Sequence, residues 1–101
     1  MRSMRVHELS DDISVLKMED VTLPPPGPKE VRLRLKACSI NFPDILMVQG
    51  KYQFKPALPF APGMEGAGIV AALGNDVTHL KVGDEVVAGL RIGGFAEEVN
   101  A

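Results

Sequence analysis

A single cysteine, Cys38, is all the thiol this sequence carries. An internal disulfide is therefore excluded, and so is any metal site built from several cysteines. A lone thiol is compatible with a reducing cytoplasm. No stretch approaches the ~20 consecutive apolar residues that span a bilayer, so no membrane association is expected. The opening residues, Met1 to Asp12, lack the apolar core of a signal peptide. The expected location is cytoplasmic. An excess of charge of one sign is missing too: eleven basic side chains face thirteen acidic ones, for a formal net charge of −2. Phosphate backbones recruit clustered Lys and Arg. Here the only local basic run, Arg32, Arg34 and Lys36, alternates with apolar residues. It reads as the solvated face of a strand, and no nucleic-acid partner is expected.

What is present fits one modest domain. The 101 residues are 46% apolar and 24% charged, an ordinary globular balance. A chain of this size buries roughly 60–70% of the surface its unfolded form exposes. Met4 to His7 and Ile13 to Met18 read as two short strands split by the turn-forming Ser10-Asp11-Asp12. The run Leu23 to Pro28 holds four prolines, which fix φ and remove donors, so it is an extended surface connector. From Glu30 to Cys38, Val31, Leu33, Leu35 and Ala37 alternate with Arg32, Arg34 and Lys36. A period of two marks a half-buried strand.

Asn41 suits a helix N-cap, Pro43 the first turn and Gly50 the stop, so the spacing predicts a short helix over 41–50. Tyr52 to Pro62 is a proline-punctuated loop. Strands follow at Gly66 to Leu73, Glu85 to Leu90 and Phe95 to Val99, separated by turns at Gly74-Asn75, Lys81 to Asp84 and Gly93-Gly94. The expected fold class is mainly β, a partly open β-barrel with one short helix.

Gly66-Ala67-Gly68-Ile69-Val70-Ala71 fits the dinucleotide pattern G-x-G-x-x-G/A. That pattern binds phosphates only where a buried strand leads through it into a helix N-terminus. Three prolines precede it here, and the chain after it is β-branched and turns at Gly74-Asn75. No helix fits. The glycines are expected to permit a bend and close strand packing.

Three segments, taken in order, resemble the medium-chain dehydrogenase/reductase superfamily. They are Val31-Arg-Leu-Arg-Leu-Lys-Ala-Cys-Ser-Ile-Asn-Phe-Pro-Asp44, Pro59-Phe-Ala-Pro-Gly-Met-Glu-Gly-Ala-Gly-Ile-Val70 and Val82-Gly-Asp-Glu-Val86. The resemblance covers nearly the whole chain. It implies a GroES-like N-terminal domain over 1–101, with the Rossmann cofactor half of the parent absent from this chain. In the zinc alcohol dehydrogenases the positions matching Asn41 and Met64 are the cysteine and histidine that hold the catalytic metal. A catalytic zinc needs about three N, S or carboxylate ligands, and an amide and a neutral thioether are poor substitutes. No metal is expected. Pro43 also replaces the Ser or Thr that relays the alcohol proton in those enzymes.

Ile40-Asn41-Phe42-x-Asp44 and Gly50-Lys51-Tyr52 instead resemble the NADPH:quinone oxidoreductase branch. The resemblance implies hydride transfer from NADPH to a quinone or an activated C=C bond, with Asn41 and Tyr52 facing the nicotinamide. Phe42, Asp44, Met64 and Glu65 are expected to border the substrate cleft. Each has a structural reading as well. Asn41 and Asp44 suit a helix cap, Tyr52 and Met64 suit packing, and Glu65 can tie down the glycine-rich bend. No general acid is apparent. The expected partners are the small-molecule substrate, the missing Rossmann half and, for the parent, further copies of itself. The alternative readings are a stand-alone GroES-like binding module and a family member without catalysis.

Overall fold

A computed structural model describes all residues 1–101. Six strands and one helix follow in the order β1 (Arg2–Arg5), β2 (Lys17–Asp20), β3 (Val31–Cys38), α1 (Phe42–Gln49), β4 (Glu65–Leu73), β5 (Glu85–Gly89) and β6 (Glu98–Asn100). Strands β1 and β2 form one antiparallel ribbon, and the other four form a sheet in the order β5-β4-β3-β6. All its pairings are antiparallel. The two sheets remain open. They are joined at isolated bridges, Ser3 to Ala96 and Val6 to Phe60, rather than by a continuous ladder. The domain is mainly β, and barrel closure is left to these bridges and the loops around them.

Strand β3 forms where the alternation places it. Val31 and Leu33 are buried while Arg34 and Lys36 are exposed. Leu33 is 1% exposed and packs with Val31, Val70 and Val99 in one core cluster. Complete burial of such a side chain contributes about 1.5–3 kcal/mol. A second cluster of Val6, Met47, Val48 and Phe60 sits under α1. Gly66 and Gly68 lie within β4, and no helix follows them. A Cβ on Gly68 would strike the Arg34 carbonyl of β3, so this glycine serves close strand approach, beside a register shift between Leu35 and Ala37.

Three expectations need correction. Ile13 to Met18 is not one strand: Ile13–Val15 form a 3-10 turn. The Asp12 carboxylate accepts the Ser14 N–H at 2.9 Å, and this local bond competes with extended structure. Strand β1 lies two residues earlier than Met4–His7, because its register pairs Arg2 with Asp20 and Arg5 with Lys17. The final strand is only Glu98–Asn100. The chain at Phe95 and Ala96 turns instead to β1, through the Met4 N–H to Phe95 carbonyl bond at 2.8 Å and the Ser3–Ala96 bridge, and this joins the ribbon to the larger sheet.

Candidate functional site

The start of α1 is built from a reciprocal arrangement around Asn41 and Asp44. Asn41 is the extended N-cap residue, Pro43 lies in the first turn, and Gly50 closes the helix at φ 72°. The Asp44 Oδ2 accepts the Asn41 N–H at 2.8 Å, the carboxylate half of a capping box. Its other oxygen, Oδ1, accepts the Gly63 N–H at 3.0 Å. Asp44 is 2% exposed. One buried carboxylate therefore ties the helix start to the loop Pro62-Gly63-Met64, a link across 19 positions of sequence. Asp44 stands behind the site as a buried strut, each of its oxygens engaged by a backbone N–H.

The Asn41 side chain faces the Asp44 backbone N–H in the other half of that capping box, without a hydrogen bond of full geometry. Its Nδ2–H donates to the Ser39 hydroxyl at 2.9 Å. Ser39 Oγ–H in turn donates to Glu65 Oε2 at 3.0 Å. The backbone repeats the link, with the Ser39 N–H donating to the Glu65 carbonyl at 3.2 Å. This follows from the β3–β4 register, which sets Cys38 opposite Gly66. Asn41 and Glu65 are thus brought together through Ser39, a residue that sequence reasoning passed over. A lone serine next to a strand end carries no signal; only the strand pairing places it across from Glu65.

Tyr52 and Met64 are half-buried and both pack on the edge of the cluster of Val6, Met47, Val48 and Phe60. Phe42 points outward, 71% exposed, and Ile40 on the other side of Asn41 is 77% exposed. The site is thus a polar trio of Asn41, Ser39 and Glu65 flanked by exposed apolar side chains, with Met64 and Tyr52 at the helix base. Cys38 lies beside it and donates to the Ser39 carbonyl at 3.4 Å. Burial first, then the nearby Asp44 and Glu65 carboxylates, push its thiol pKa up. A thiol held protonated is a poor nucleophile.

No three His, Cys, Asp or Glu side chains gather anywhere in the chain in a manner that could hold a metal ion. At the two positions that matter, the groups offered are the Asn41 amide and the Met64 thioether. That donor set does not fit a catalytic zinc. No helix is long and apolar enough to cross a membrane.

Fold and site together define a strand-rich domain that presents one capped helix end beside a glycine-bearing strand. Residues 27–101 match the family described as the alcohol dehydrogenase GroES-like domain. The chain belongs to that family. It is 50% identical over 76 residues to the human synaptic vesicle membrane protein VAT-1 homolog, covering 75% of this chain and 19% of that protein. It is 48% identical over 83 residues to bovine quinone oxidoreductase-like protein 2, covering 82% of this chain and 24% of the relative. Among solved structures, the Escherichia coli quinone oxidoreductase complexed with NADPH superimposes with a TM-score of 0.90 at 32% identity, covering 99% of this chain and 30% of that one. The chain thus spans only about a fifth to a third of the length of these relatives.

Proposed function

We propose that this chain is the catalytic, substrate-facing domain of a longer oxidoreductase that transfers hydride from NADPH to a quinone or an activated C=C bond without zinc. The observation that carries the reading is the Asp44 carboxylate, which joins the Asn41 N–H to the Gly63 N–H and so brings the helix start beside the segment leading into Met64 and Glu65. Relatives named quinone oxidoreductase, one of them solved with NADPH, support it. Asn41 and Tyr52 face the nicotinamide end of the cofactor; Phe42, Met64 and Glu65 border the substrate, with Asp44 holding the frame. NADPH, when bound, supplies the hydride and the electrons. The chain's own side chains orient it, exclude water and offer neutral hydrogen-bonding groups to the reactants.

Most of the NADPH contacts belong to a Rossmann half outside these residues. Ile40 and Phe42 are the exposed apolar groups that such a half covers. The chain alone is inactive in this reading, and the parent works in the cytoplasm. Kinetics of the full-length protein with NADPH and a benzoquinone test the reading. Asn41→Ala and Tyr52→Phe each lower kcat/KM about tenfold, the cost of one hydrogen bond of about 1.4 kcal/mol. Wild-type rates in both variants refute it. A non-catalytic family member is the second reading, favoured by the likeness to proteins named for a synaptic vesicle membrane. Absence of NADPH turnover with any quinone or enone in the full-length protein would establish that one.

A further inference from the structure

Arg91 takes no part in the site described above, yet it stands on the same rim. Its Cζ lies 4.2 Å from the centre of the Phe54 ring, so a cation rests on an aromatic face and is held there. The Leu90 N–H donates to the Met64 carbonyl at 2.6 Å, and the Gly93 N–H to the Ala61 carbonyl at 2.8 Å. These bonds set the loop that carries Arg91 beside Met64. Phe54, Tyr52, Met64 and Ile92 all pack on the cluster under α1. Arg2, Arg5 and Lys51 are paired with Glu97, Glu19 and Asp11, and Arg32 is bound to Asn100 and the Pro24 carbonyl. Arg91 is exposed and has neither an acid nor a hydrogen-bond acceptor within the chain. Residues 51–64 and 86–96 contain no Asp or Glu, but they hold Lys51, Lys55 and Arg91.

We infer that Arg91 is a specificity-determining residue, which selects quinone or enone substrates carrying a carboxylate or similar oxyanion away from the reducible group. A guanidinium resting on a ring keeps its in-plane N–H donors for an oxyanion, and two of them match a carboxylate. The neighbouring acids do not compete for it: Asp11 is paired with Lys51, and Glu65 accepts from Ser39. The half-buried Tyr52, Phe54 and Met64 supply apolar surface for the substrate ring. The inference rests on the reading above for the reaction, but the preference for an anion is a property of binding and is measurable without turnover.

The test uses the full-length protein and two probes of one shape: a trimethylbenzoquinone with a propionate side chain and its uncharged propionamide. The ring is fully substituted, so neither probe arylates Cys38. By calorimetry at low salt the wild type binds the propionate about tenfold more tightly than the propionamide, the equivalent of about 1.4 kcal/mol. The difference shrinks as added salt screens the charge. Arg91→Met, which keeps an apolar stem against Phe54, weakens the propionate alone and so equalises the two. Arg91→Lys, which keeps the charge without the planar fork, recovers part of the preference. Steady-state kinetics show the same ratio in KM for the quinone, with KM for NADPH unchanged. Equal affinities in the wild type, or a preference that survives Arg91→Met, overturn the inference. So does an Arg91→Met variant that loses both probes alike, because the residue is then structural. A rise in KM for NADPH in place of the quinone effect also overturns it, since the oxyanion is then a cofactor phosphate. An Arg91-dependent binding preference without NADPH turnover of either quinone upholds the anion selection and refutes the hydride-transfer reading.

Discussion

Replacing Asp44 tests the frame on which the site is built. Its two oxygens accept the N–H groups of Asn41 at 2.8 Å and Gly63 at 3.0 Å, and the residue is 2% exposed. Hydrogen bonds to a charged group contribute about 1.5–3 kcal/mol each. Asp44→Ala leaves both donors without a partner, and the helix loses its first-turn carboxylate as well. Water reaches the vacated space only in part, so the lower end of the sum applies, about 3 kcal/mol. For a domain of this size each kcal/mol lowers Tm by about 4–8 °C, giving a fall of about 12–24 °C. Asp44→Asn keeps one acceptor oxygen and removes the other, so about half that loss follows. Thermal and urea denaturation followed by circular dichroism measure both variants. A loss below about 0.5 kcal/mol for Asp44→Ala, the range of ordinary surface changes, would refute the strut.

Gly68→Ala drives a methyl into the Arg34 carbonyl of the neighbouring strand. A loss of about 2–3 kcal/mol is expected, typical of overpacking, and an unchanged denaturation midpoint contradicts it. The Cys38 thiol, pushed up by burial and two carboxylates, should alkylate more slowly with iodoacetamide than a free thiol at neutral pH. Its rate should climb only as pH rises through the raised pKa; a fast reaction at neutral pH would show that the thiolate is stabilised instead. The 101-residue chain titrated with NADPH by calorimetry should bind weakly or not at all, since the proposed function assigns most of the contacts to a Rossmann half outside these residues. Tight saturable binding would contradict that division.

Much of the fold was legible because local signals and burial agreed. The alternation around Leu33 marked β3, and Asn41, Pro43 and Gly50 bracketed α1 within a residue. The dinucleotide-like glycines fell inside β4 because the chain around them could not supply a helix. The misses came where partners distant in sequence decided the outcome. Phe95 and Ala96 lie outside the last strand because they bridge to β1 and not to β3. The 3-10 turn at Ile13 depended on one carboxylate at Asp12. In the site, Asn41 and Asp44 were visible as a cap. That Asp44 reaches across to Gly63, and that Ser39 links Asn41 to Glu65, followed only from the pairing of β3 with β4.

The proposed function rests on the resemblance that sets the Asn41 amide and the Met64 thioether at the positions where zinc-dependent members keep their metal ligands. Its most direct test is NADPH turnover with a quinone by the full-length protein after exhaustive dialysis against a chelator, with elemental analysis of the same sample. The account predicts undiminished hydride transfer and no stoichiometric metal. Activity that disappears with the chelator and returns with added zinc would contradict it.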